Sequence, residues 1–96
     1  TDDIEYDNVP IGKVHGPDGV RKVLSGGVTE AASQVEWVVH RQVAAGSTVM
    51  NERTDRFLVR GRWIEIPIAA VFEVRDGRVS LWRDYFDMAE FQREFA

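Results

Sequence analysis

The stretch WIEIPIAAVFEV (Trp63–Val74) alternates so regularly that a long β-strand is the one element that accommodates it. Its even positions, Ile64, Ile66, Ile68, Ala70, Phe72 and Val74, are all apolar. Successive side chains of a strand point to opposite faces, so these line one side. Glu65 and Glu73 fall on the other, partly solvated side. Pro67 shares that second side and cannot donate to a ladder, which asks for an edge position or a bulge. RDGR follows, a tight Asp-Gly hairpin turn, and VSLWRDYFD (79–87) is the returning strand.

The same logic extends upstream. QVEWVVHRQVA is rich in β-branched residues and reads as a long strand. AGS (45–47) turns the chain, a second strand runs from Thr48 to about Val59, and RGR turns it again. IEYDNV (4–9) reads as a short strand ended by Pro10 and Gly12, with Ile4, Tyr6 and Asn8 on one face. HGPDGVRKVLSGG reads as a loop leading into a helix: Pro17 and Asp18 suit its start, Val20, Val23 and Leu24 its stripe, and Gly26 and Gly27 its end. MAEFQREF closes in a helical pattern with Met88, Phe91 and Phe95 on one side. The count is one short strand and a helix, four longer strands joined by tight turns, and a terminal helix. That is an α+β arrangement. Strands so long and twisted curl into a cone whose concave face takes a helix or a ligand.

Composition narrows the function classes. The 96 residues fit one domain, and 44% hydrophobic with 29% charged residues is a globular balance. So short a chain has a thin core, which favours oligomerisation. A net charge of −4 without a basic run argues against a nucleic-acid partner. The absence of cysteine excludes disulfides and thiolate metal sites, and His15 and His40 are too isolated to make a metal centre. The longest apolar run, IPIAAVF, is far short of a membrane span, and no secretory apolar segment is present. A soluble, cytoplasmic protein is expected. Trp63 and Val71 share the outer face with Glu65 and Glu73, so a homodimer through that face is expected as well.

One stretch breaks the usual pattern. In NERTDRF (51–57), Glu52, Thr54 and Arg56 share a polar face, which puts Arg53 and Asp55 beside Phe57 on the face meant for the core. Asp84 likewise shares a face with Trp82 and Phe86, and Tyr6 and Asn8 with Ile4. Burying an unpaired carboxylate is costly or forces it to take up a proton. Two aspartates around one arginine offset that cost, one ionised and the other able to hold a proton, and carboxyl groups so separated make a general base and a general acid. The bland alternative is a partly exposed salt bridge at Arg53–Asp55 and a surface Asp84, and parity supports both equally.

EYDN, NERTDRF and WRDYFD together resemble the limonene epoxide hydrolase family, from about residue 4 to residue 95. The family has the curved-sheet cone shared with ketosteroid isomerases and polyketide cyclases. Its Tyr-x-Asn, Arg-x-Asp and final-strand Asp match Tyr6, Asn8, Arg53, Asp55 and Asp84. The resemblance implies one cone domain over residues 1–96, a strongly curved mixed sheet around a hydrophobic pocket with short helices on its concave side, and a start that lacks the family's N-terminal helices. It implies hydrolysis of an epoxide to a vicinal diol without cofactor or covalent intermediate. Asp84 would be the base, Asp55 the acid, Arg53 the bridge between them, and Tyr6 and Asn8 the holders of the water. Strand parity adds Phe57, Ile66, Ile68 and Phe86 to an apolar substrate pocket, and the resemblance adds Val28, Trp37 and Phe91. Two alternatives stay open: an isomerase of the ketosteroid type using Tyr6, Asp55 and Asp84, against which Arg53 argues, and a non-catalytic binding or dimerisation module.

Overall fold

The computed structural model describes residues 1–94, apart from the side chain of Val28. Phe95 and the Val28 side chain, both assigned places above, lie outside the described residues. The elements are β1 (Glu5–Asn8), β2 (Gly12–His15), α1 (Gly16–Ser25), α2 (Gly27–Ala31), β3 (Gln34–Ala45), β4 (Thr48–Val59), β5 (Arg62–Arg75), β6 (Arg78–Tyr85) and α3 (Met88–Glu94). The strands form one curved, unclosed sheet in the order β2-β1-β6-β5-β4-β3. All ladders are antiparallel except β1–β6, which is parallel, so the sheet is mixed and the architecture α+β as expected.

The hairpins follow from backbone chemistry. Arg60 and Gly61 join β4 to β5, and Asp76 and Gly77 join β5 to β6; all four have positive φ. Paired left-handed residues match the twist of the flanking strands, which keeps both hairpins tight.

Pro67 is answered by strand length. β5 pairs with β4 from Arg62 to Glu73 without a register shift, but β6 reaches only as far as Ala69. Pro67 therefore lies where one flank of β5 has no neighbour, and its missing N–H costs no ladder bond.

Three boundaries differ from the sequence reading. β2 falls where the sequence offers a turn at Gly12 and a loop from His15: it is short and mostly exposed, and it pairs with β1 through backbone, so no apolar alternation marks it. The sequence marks Gly26 and Gly27 together as the end of the first helix and gives no sign of α2. Gly26 does stop α1 in an extended conformation, but Gly27 at φ 55 turns the chain into a further helical turn. β6 stops at Tyr85 rather than residue 87, because Asp87 caps α3: its Oδ1 accepts the N–H groups of Ala89 (2.8 Å) and Glu90 (3.3 Å).

The core is the alternating set that the pattern predicts. Phe57, Ile64, Ile66 and Ile68 are buried together, with Ala32, Val59, Phe86 and Phe91 packed against them. The stripe ends before Val74, which is exposed beyond a register shift in the β5–β6 ladder. Among the described residues no helix is long and apolar enough to cross a membrane.

Candidate active site

β4 sends Arg53, Asp55 and Phe57 to the concave face, where the two charged residues are only 5% and 7% exposed. Two strands away, β6 presents Asp84, 2% exposed. β5 lies between them, with Ile68 opposite Arg53 and Ala70 opposite Asp84. The methyl of buried Ala70 leaves the long arginine room to cross the ladder. The parallel β1–β6 register sets Tyr6 opposite Trp82 and Asn8 opposite Asp84. β1 has only four residues, so contacts outside the cavity secure it: Val9 N–H donates to the Asp84 carbonyl (3.0 Å), and Arg83 donates to Glu5 and Asp7 (3.1 Å each).

One guanidinium bridges both carboxylates. Arg53 Nε and Nη2 donate to Asp55 Oδ1 and Oδ2 at 2.7 and 3.2 Å, and Nη1 and Nη2 donate to Asp84 Oδ1 and Oδ2 at 3.0 and 2.8 Å. The ordinary partly exposed salt bridge, the bland alternative, does not describe this arrangement. Burial pushes Asp55 up, against the pull of Arg53 and with the help of the Asp84 charge. Burial also pulls on Arg53, but its hydrogen bonds to both aspartates outweigh it and hold the group more firmly cationic than usual. Tyr6 is pushed up to about 12 by burial and by Asp84, with Asn8 acting in the opposite sense. Tyr6 therefore stays protonated, a donor at any working pH.

Trp82 is the member that sequence reasoning left unused, although it was placed on the Asp84 face. Its indole Nε1 donates to Asp84 Oδ1 at 2.7 Å. Its ring stacks on Tyr6 (centroids 4.3 Å apart) and on Phe72 (5.7 Å), meets Trp37 edge-on (6.3 Å), and lies 6.0 Å from Arg53 Cζ.

These groups sit in a cavity of about 320 Å³. Tyr6, Asn8, Arg53, Asp55, Trp82 and Asp84 make its polar wall. Phe57, Ile66, Ile68, Phe86 and Phe91 make the apolar wall, with Phe86 and Phe91 5.6 Å apart. Trp37, on the exposed edge strand and itself 54% exposed, forms part of the lining. α1 and α2 add Val23, Leu24 and Thr29, and Ile11 joins them. The sequence marked Val23 and Leu24 as a helix stripe but carried no sign of what the helix packs over. His15 is exposed beside Glu5, His40 bonds Thr54, and no cluster among the described residues could hold a metal ion.

The family model described as the limonene-1,2-epoxide hydrolase catalytic domain matches residues 1–96. The chain belongs to this family. A relative, epoxide hydrolase EphG of Mycobacterium tuberculosis, is 36% identical over 87 residues, covering 91% of this chain and 57% of that protein. The chain thus spans little more than half the length of that relative. The solved structure of an M. tuberculosis limonene epoxide hydrolase-like enzyme superposes with a TM-score of 0.78 at 33% identity, covering 98% of this chain and 69% of the other. A putative SnoaL-like polyketide cyclase from Jannaschia sp. CCS1 superposes with a TM-score of 0.80 at 16% identity, covering 98% and 71%, a likeness of fold alone.

Proposed function

We propose that this limonene epoxide hydrolase family member adds water to a lipophilic epoxide in one step, giving a vicinal diol. The observation that carries the reading is the buried Asp55–Arg53–Asp84 bridge at the polar end of an otherwise apolar cavity. Burial raises Asp55 and the Asp84 charge adds to it, so the reading assigns the acid's proton to Asp55. Asp84, against the cation, takes a proton from a water that Tyr6 and Asn8 hold. The water oxygen bonds to a ring carbon as the carbon–oxygen bond of the ring opens. The departing oxygen receives the Asp55 proton, so neither free hydroxide nor free alkoxide forms. Asp84 then carries the proton and Asp55 the charge, and exchange with solvent resets the pair. The aromatic and aliphatic wall favours a substrate of terpene, alicyclic or aryl type.

We also propose that two copies associate through the outer face of the sheet. Val38, Met50 and Tyr85 are exposed there, beside half-buried Val71 and Leu81.

The reaction is tested by incubating the chain with a panel of epoxides in labelled water and measuring diol. Asp84→Asn and Asp55→Asn are each expected to lose at least roughly 10²-fold in turnover, with the circular dichroism spectrum retained. Near-full activity in either variant would sink the mechanism.

A further inference from the structure

We infer that the Trp82 indole N–H is a positioning group for this hydrolysis: by filling Asp84 Oδ1, it leaves Oδ2 as the atom that holds the water and takes its proton. The inference rests on the hydrolase reading above and deepens it.

A carboxylate offers about four acceptor directions, two on each oxygen. Asp84 Oδ1 accepts Arg53 Nη1 at 3.0 Å and Trp82 Nε1 at 2.7 Å, so both of its directions are taken. Among the described residues Oδ2 accepts only Arg53 Nη2, at 2.8 Å. The guanidinium meets both oxygens along one edge, so the direction left open is the one on Oδ2 that points away from Arg53. An indole donates and never accepts, and it does not titrate at working pH. It therefore keeps Oδ1 closed to water and to the transferred proton throughout the cycle, as a serine or tyrosine hydroxyl would not.

The indole cannot swing away, because Tyr6 and Phe72 stack on it and Trp37 abuts its edge. The Tyr6 stack also ties the water-holding side to the base. β1 runs parallel to β6, with Tyr6 beside Trp82 and Asn8 beside Asp84, so the donor of the hydrogen bond and the holders of the water share one rigid layer. Without the N–H, water and proton distribute over both oxygens, and only one of these arrangements faces the ring that Asp55 protonates.

The test uses two substitutions. Trp82→Phe removes the donor and keeps an aromatic ring. Replacing the Trp82 indole by benzothiophene, through site-specific incorporation, removes only the N–H and keeps the shape and the stack. In both, kcat is expected to fall by about 10- to 100-fold, the range for a lost hydrogen bond to a charged group. In the benzothiophene variant KM stays close to the wild-type value. The acid limb of the rate profile moves to higher pH, because the carboxylate has lost a donor. The other groups facing Asp84 (Arg53 and Asp55 from β4 and Tyr6 from β1) and Lys22 of α1 on the cavity wall are unchanged, so they do not move that limb. A merely structural role for Trp82 predicts an altered thermal midpoint and an unmoved acid limb. Diol formation lost in Asp84→Asn but unaltered in the benzothiophene variant would overturn this inference alone. No diol from the wild-type chain would overturn the hydrolase reading, and this inference with it.

Discussion

At the scale of the residue, Arg53 decides most. Its side chain is buried and spends four hydrogen bonds on two carboxylates, so none of the three groups stands unpaired. Ion pairs this deep add little net stability, because desolvation offsets much of their attraction. Their place on a core face is what the hydrolase reading proposed above accounts for. Asp55 makes this measurable. Its carboxyl lies above the ordinary 3.8, with burial as the largest cause. Between the ordinary value and its own, the unfolded chain has released a proton that the folded chain still holds. Folding stability from Asp55 is thus fully present below the ordinary value and is lost as pH rises through the folded value. Urea unfolding of wild type and Asp55→Asn over the acid range should show the wild type losing stability relative to the variant as pH rises. Groups shifted the other way, such as Asp3 and Glu5, are common to both proteins and cancel. A wild-type stability that keeps pace with the variant's, or rises relative to it, as pH increases would contradict the assignment.

At the scale of the element, strand register delivers the site. Arg53 and Asp55 reach one cavity because β4 and β5 pair without a slip, and Asp84 faces it because the β5–β6 shift falls at the far end, beyond Glu73. The hairpins that set this register depend on left-handed residues. Gly77 sits at φ 75, and a Cβ there would meet nothing within 4 Å. The cost of Gly77→Ala is therefore backbone strain alone, about 1 kcal/mol, or a fall of roughly 4–8 °C in thermal midpoint for a chain this small. Calorimetry of the variant measures this; an unchanged midpoint would mean that the turn tolerates a side chain at positive φ. Diol-forming activity at room temperature should persist, since Asp84 lies near the other end of β6 and Asp55 of β4 pairs with Ile66, toward the other end of β5.

At the scale of the molecule, β3 is the exposed edge of the sheet and is exposed along its whole length. Val35, Trp37 and Val39 lie on its cavity side, and Val38 and Val43 are also exposed. For the association of two copies proposed above, sedimentation velocity should give a dimer at micromolar concentration. Met50→Glu together with Val71→Glu, on the outer face, should shift the chain toward monomer while the Asp55–Arg53–Asp84 bridge is untouched. A wild-type monomer at all concentrations would end the dimer proposal without affecting the hydrolase reading.

The alternation of Trp63–Val74, the polar intrusions at Arg53, Asp55 and Asp84, and the Asp-Gly hairpin were legible without coordinates. A strand's two-residue period is a local property, so which side each residue faces can be counted along the chain. The four residues of β2 were not legible, because backbone pairing at an edge leaves no mark on side-chain pattern. Nor was the second helical turn after Gly26, where one dihedral angle decides between stopping and continuing. What only the folded molecule decided is how far apart the faces end up. Parity says that Arg53 and Asp84 point the same way, but it takes the curvature of the sheet, the methyl of Ala70 and the parallel docking of β1 to link one guanidinium, two carboxylates and an indole N–H in a chain of hydrogen bonds 2.7–3.2 Å long. Distance between strands is set by packing across the whole sheet, and no window of sequence contains it.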